Sequence, residues 1–185
     1  MAKLLGLGYP GGPVIDRLSE AGNRAAVALP RHTAKETFDF SFSGLKTAVY
    51  HHVNRLIATS QLTVGSSQPA TANCEPRTAN TLSRQTVADI AASFQETAVE
   101  ILIAKTVRAC QRTGIKRLVV GGGVAANRRL RARLVEESQS RQLWVTVPPP
   151  ALCVDNGAMV AGLAFELLRR GHTAQQGKYV LCKSD

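Results

Sequence analysis

The run from Lys116 to Arg133, KRLVVGGGVAANRRLRAR, constrains the fold more than any other part of the chain. A basic, β-branched stretch breaks into Gly121, Gly122 and Gly123 and restarts as an arginine-rich segment. That order predicts a strand from Arg117 to Val120, a tight turn, and a helix from Ala125 to Ser138. Glycines lack Cβ atoms, so the backbone can adopt positive φ and come close to a ligand, while the N–H groups opening the next helix point toward it. A phosphate or another anion suits such a turn, although strand-to-helix turns also carry glycine for geometry alone. Arg128, Arg129, Arg131 and Arg133 crowd the first turns of the helix. The macrodipole disfavours each cation there by ~0.3–1 kcal/mol, which a bound polyanion would offset. With Lys116 and Arg117 the cluster reads as a nucleic-acid footprint or as a solvated helix face, and the formal net charge of +10 favours the footprint.

The strand-helix alternation recurs downstream. Gln142 to Val147 reads as a strand ended by Pro148, Pro149 and Pro150, and a final helix opens at Asp155 and runs to about Arg170. Two such units with short connections predict an α/β layered domain, in which ligands sit beyond the carboxyl ends of the strands. The glycine turn and the Asp155 segment both fall there. Upstream, Met1 to Gly8 resembles the last turns of a helix closing on glycine. Pro13 and Gly22 bracket a short helix from Val14 to Ala21, with Gly22 as its C-terminal cap. Phe38, Phe40 and Phe42 alternate with Asp39, Ser41 and Ser43, which predicts a half-buried strand ended by Gly44. Leu45, Val49, Val53, Leu56 and Ile57 then recur at helical spacing over roughly four turns. Residues 60–82 are polar and proline-containing and read as a mobile, low-complexity loop. Ser83 caps a long helix through about Arg112 with Gly114 as its stop, and Tyr179 to Leu181 adds a short edge strand.

At 185 residues the chain can form one domain or the larger part of one. An aromatic content of 5% argues against a single-strand reader that works by stacking bases. Cys74, Cys110, Cys153 and Cys182 show no C-x-x-C spacing and no apolar leader opens the chain, which predicts free thiols in a reducing cytosol. The longest apolar runs fall far short of a membrane span. Asn127 stands where its side chain can cap the helix or bond a ligand hydroxyl. Asp155 is either an N-cap or a carboxylate at a strand end that holds a metal or polarises a hydroxyl. Cys153 is read as inert core rather than a ligand. His51 and His52 are adjacent and on a helix point about 100° apart, and His32 and His172 are isolated, so the chain holds no complete metal site of its own. No convincing Ser-His-Asp or Cys-His set is present either.

Together, LLGLGYPGGPVID from Leu4, FDFSFSGLKT from Phe38, GGGVAANRRLR from Gly121 and CVDNGAMVAG from Cys153 closely resemble the TsaD family of tRNA threonylcarbamoyladenosine synthases, formerly called glycoproteases. The motifs keep that family's order and approximate spacing over nearly the whole chain. The resemblance implies an actin-like ATPase fold of two subdomains flanking a cleft. Family members carry an earlier subdomain with a His-x-x-x-His motif and a Ser-Gly-Gly-His segment, and neither is found here. The expectation is therefore the carboxyl-terminal part of the fold, mainly its second subdomain, inactive alone.

The family transfers a threonylcarbamoyl group from threonylcarbamoyl-AMP to the N6 amine of the adenosine 3′ of certain tRNA anticodons. By motif, Gly12 and Asp16 should contact the adenylate, and Asn127 should bond the nucleotide beside the glycine turn. Asp155 matches the aspartate that joins two histidines around a divalent iron or zinc. The resemblance also implies a paralogous dimerisation subunit and a small ATPase subunit as partners, in the cytoplasm. A non-catalytic nucleotide- or tRNA-binding module, or a sugar kinase or ATPase fragment of the same superfamily, are the competing readings.

Overall fold

The computed structural model describes residues 1–31, 38–64 and 82–171. Its elements are helices α1 (Gly11–Leu18), α2 (Ser43–Val64), α3 (Arg84–Thr113), α4 (Arg128–Arg141) and α5 (Gly157–Arg169), and strands β1 (Arg117–Val119) and β2 (Trp144–Thr146). The architecture is α/β. The predicted edge strand at Tyr179 to Leu181, and most of the segment read as a loop, lie outside the described residues.

Helix α3 organises the rest, and its ends fall where local chemistry puts them. The Ser83 hydroxyl accepts from the Thr86 N–H at 3.0 Å, and Gly114 turns left-handed at φ 72°. Two apolar clusters pack on this helix, overlapping along it between Val99 and Ile101. Val87, Ile90, Ala91 and Ile101 pack with Leu5, Ile15, Leu29, Leu45, Val49 and Val53, joining the N-terminal segment, α1 and α2 to it. Val99, Ile103 and Val107 pack with Leu130 and Leu134 of α4, and Leu118 and Val145 of the sheet close this second cluster.

Strands β1 and β2 pair in parallel with Leu118 opposite Val145, and α4 makes the crossover. The period of two turns Leu118 and Val145 inward. Val119 and Trp144 lie on the opposite face and remain 78% and 75% exposed.

Several expectations are corrected by tertiary context. The segment from Phe38 to Phe42 forms no strand. Its alternation serves a helix surface instead. Lys105 of α3, only 3% exposed, donates to the Asp39 carbonyl and stands 6.0 Å from the Phe40 ring centroid. Arg112 stands 5.6 Å from the Phe38 ring, and Phe40 stacks on Phe42. Gly44 accordingly lies inside α2, which begins at Ser43 and runs on to Val64.

Helix α1 spans Gly11–Leu18 rather than Val14 to Ala21, and Ser19 is its C-cap. Gly22 serves close packing instead: a Cβ there would lie 2.1 Å from the Ala88 carbonyl oxygen. The opening turn closes on Gly6 and not Gly8. Leu7 N–H donates to Ala2 O at 2.9 Å and Gly6 N–H to Lys3 O at 3.3 Å, with Gly6 at φ 68°, a Schellman closure. No helix among the described residues is long and apolar enough to cross a membrane.

Candidate functional site

A cavity of about 820 Å³ opens where the N-terminal segment and α1 face α3 and the start of α4. That volume suits a ligand of nucleotide size. Leu7, Gly8, Tyr9, Gly11, Gly12 and Ile15 line one side, and Phe94, Gln95, Ala98, Val99 and Leu102 of α3 line the other, with Val124 and Asn127 between them.

The two glycines of the α1 start have different reasons to be glycine. A Cβ on Gly11 would meet the Ala2 Cβ at 2.6 Å, whereas nothing lies within 4 Å of one on Gly12. No neighbour within the chain requires Gly12 to be bare. The N-cap residue Pro10 offers no side-chain bond, so the first amides of α1 have no capping side chain.

Asn127 is the hub of the polar wall. It is the N-cap of α4, its Oδ1 accepting from the Leu130 N–H at 2.9 Å, so α4 begins at Arg128 and not at Ala125. A 3₁₀ turn over Gly123–Ala126, which takes in the last of the three glycines, separates it from Gly121 and Gly122. Its Nδ2 donates to Asp16 Oδ1 at 3.1 Å and to Gln95 Oε1 at 2.8 Å. Asp16 Oδ2 in turn accepts from Arg128 Nε at 2.8 Å, and Arg128 also pairs with Glu20. Gly12 and Asn127 thus line one cavity from elements more than 100 residues apart in the chain, while Asp16 is not among its lining residues and is tied to it through Asn127. Asp155 is not among the cavity's lining residues. It is exposed and has no hydrogen bond among the described residues, because Asn156 takes the N-cap role by accepting from the Met159 N–H at 3.1 Å.

Of the three turn glycines only Gly122 has positive φ, at 86°. None of the three lines the cavity; Val124 and Asn127 carry the turn's contribution.

Three of the four arginines in the row pair with carboxylates of this chain. Arg129 makes a bidentate pair with Glu96 at 2.6 and 2.7 Å, with the two side chains 17% and 12% exposed. Arg131 donates to the Pro148 carbonyl at 2.6 Å and reaches Cys153 Sγ at 3.2 Å, tying the segment before Asp155 to α4. Arg133 pairs with Glu136 and Glu137 at 2.9 and 3.3 Å. Carboxylates of this chain therefore offset the dipole penalty at Arg128, Arg129 and Arg133. Arg131 meets only a carbonyl and a thiol, and the buried Nε atoms of Arg131 and Arg133 have no partner among the described residues. The partners of Arg128 and Arg129, and the role of Gln95, lie beyond what local spacing shows.

The hydrogen bonds from Arg129 hold the Glu96 carboxyl below the usual glutamate range, overcoming burial, which pushes it up; the Arg129 and Arg24 charges add to the lowering. Because the folded pKa is the lower one, the unfolded chain takes up this proton first as pH falls. The pair's contribution is therefore complete above the ordinary value of 4.5 and is lost as pH falls through the depressed folded value. The expected result is a gap in melting temperature between the wild type and Glu96→Gln that is constant above about pH 5.5 and narrows below pH 4.5. Thermal unfolding across pH measures it, and a gap that widens in acid would refute the assignment.

Among the described residues no three His, Cys, Asp or Glu side chains come together in a group able to hold a metal ion. Asp155 alone does not make a metal centre, and these residues by themselves do not fit one.

A family model for tRNA N6-adenosine threonylcarbamoyltransferase, TsaD, matches residues 1–162. The tRNA N6-adenosine threonylcarbamoyltransferase of Magnetococcus marinus is 41% identical over 175 residues, which cover 94% of this chain and 43% of that protein. The protein of the same description from Corynebacterium diphtheriae is 40% identical over 178 residues, covering 92% of this chain and 45% of the relative. That from Paraburkholderia xenovorans is 45% identical over 178 residues, covering 96% and 46%. The chain spans a little under half the length of the curated relatives it matches. With the family model covering most of the chain and these identities running along nearly all of it, the chain belongs to the TsaD family of tRNA N6-adenosine threonylcarbamoyltransferases.

Proposed function

We propose that this chain works in the transfer of a threonylcarbamoyl group from threonylcarbamoyl-AMP to the N6 amine of the adenosine 3′ of the anticodon in tRNA, forming the adenylate-binding side of the site. The observation that carries this reading is the cavity that Gly12 and Asn127 line together, with Asp16 bonded to Asn127. The fold is the second subdomain of an actin-like ATPase architecture. Gly12 brings bare backbone to the adenylate. Asn127 has spent both amide hydrogens but keeps a lone pair on Oδ1 for a ligand hydroxyl, and Asp16 holds Asn127 and Arg128 in register.

The carbamoyl-phosphate anhydride is already activated, so these residues have to orient it and keep water away. The carbon-rich walls at Ile15, Phe94, Ala98 and Leu102 favour that exclusion. Asp155 is offered as one ligand of a divalent iron or zinc, completed by groups other than the described residues. The bare sheet face at Val119 and Trp144, and the exposed Val160, Leu163, Phe165 and Leu168 of α5, are where the rest of a two-subdomain fold would pack. A dimerisation subunit and a small ATPase are the further partners proposed, in the cytoplasm.

The test is tRNA threonylcarbamoylation with threonylcarbamoyl-AMP, tRNA and iron or zinc. It compares the purified chain with the same chain supplemented by the portion of a full-length relative that lies outside the match. Transfer on supplementation is the expected result. Adenylate binding without transfer in either sample would instead favour the non-catalytic module.

A further inference from the structure

We propose that Gln95 is a specificity-determining residue of the cleft, its side-chain Nε2 donating to a hydrogen-bond acceptor on the bound nucleotide; this rests on the adenylate reading above. Asn127 fixes the orientation of Gln95 by elimination. Its Nδ2 can only donate, so the Gln95 atom 2.8 Å away must be the carbonyl oxygen. The amide of Asn127 cannot turn to reverse this, because its own oxygen is held by the Leu130 N–H and its other hydrogen by Asp16. Gln95 is left with its NH₂ group, which has no partner among the described residues, on a side chain that lines the cavity.

The rest of the α3 wall is carbon, from Phe94, Ala98, Val99 and Leu102. A ligand that fills the cavity strips water from the Gln95 donor. A ligand with an acceptor there repays that loss, and one without it leaves the donor unpaired. Sites built in this way discriminate strongly between ligands of equal size. The nearby Asn127, which sequence spacing singles out, is the group that aims Gln95.

The experiment is calorimetric titration of the protein with AMP, alongside Gln95→Glu and Gln95→Met, with thermal unfolding of each variant. Glutamate keeps an oxygen for Asn127 but replaces the donor with an acceptor, and methionine removes both at similar volume. A ligand contact predicts weaker AMP binding by about 100-fold for Gln95→Glu and about tenfold for Gln95→Met. A purely structural role for Gln95, whose oxygen glutamate keeps for Asn127, predicts a smaller loss of AMP affinity in Gln95→Glu than in Gln95→Met, with only the repulsion between the new carboxylate and the phosphate remaining. That pattern, or unchanged affinity in Gln95→Met, would overturn the proposal while leaving the nucleotide reading intact. No AMP binding by the wild type at millimolar concentration would overturn the nucleotide reading itself, and this proposal with it.

Discussion

Gly22→Ala is expected to destabilise the protein by about 3 kcal/mol or more, the upper end of what overpacking costs. For a chain of this size that lowers the melting temperature by roughly 6–12 °C. The added Cβ would lie 2.1 Å from the Ala88 oxygen, 2.4 Å from the Ala88 carbonyl carbon and 2.9 Å from the Ala92 Cβ. Two of these are backbone atoms within α3, and they cannot move without disturbing its hydrogen-bond ladder. The Gly22 side cannot retreat easily either. Asn23 N–H donates to Asp89 Oδ1 at 2.7 Å, Gln85 Nε2 to Ala21 O at 3.2 Å, and Ser93 bridges Asn23 O and Val27 N–H at 3.2 and 3.1 Å. Circular dichroism followed through heating measures the effect, and a melting temperature within about 2 °C of wild type would show that the contact yields at little cost.

Gly22 also marks where sequence reading stopped. A glycine just after a short helix looks like a C-cap, yet its φ is not positive, and the reason for it lies across the fold on a helix that begins only at Arg84. The caps of α3 were legible because Ser83 and Gly114 act on their own turns. So were the two parallel strands, whose β-branched runs end at glycine or proline. Asn127 was legible as a cap but not as the donor to Asp16 and Gln95, which are distant in sequence.

The same limit explains the arginine row. Four cations at a helix start look like a polyanion site until Asp16, Glu20 and Glu96 arrive from elsewhere in the chain to pair with two of them, Arg128 and Arg129. At Phe38 to Phe42 the period of two was real but the partner was misjudged. Cations of α3 can use one side of an extended segment as readily as a neighbouring strand can. Asp155 and Asn156 are both good N-caps, so composition could not choose between them. The choice left Asp155 exposed and without a hydrogen bond among the described residues.

Gly12→Ala should separate function from stability in the opposite way to Gly22→Ala. Gly12 lies in the first turn of α1 without positive φ, and a Cβ there meets nothing within 4 Å. Replacing glycine by alanine in a helix is favourable by up to about 1 kcal/mol, so the melting temperature should hold or rise. The methyl group projects instead into space beside the cavity that Gly12 lines. If the adenylate approaches this backbone, the methyl forces it away, and AMP affinity should fall by about tenfold to a hundredfold, the equivalent of 1–3 kcal/mol of overpacking. Gly11→Ala is the internal comparison. Its Cβ would meet Ala2 at 2.6 Å, so it should weaken the fold along with binding. Calorimetric titration with AMP and thermal unfolding of both variants measure the two quantities separately. Full AMP affinity in Gly12→Ala would mean that the ligand sits elsewhere in the cavity. Loss of affinity with an undiminished melting temperature would identify Gly12 as a residue kept bare for a ligand rather than for the fold.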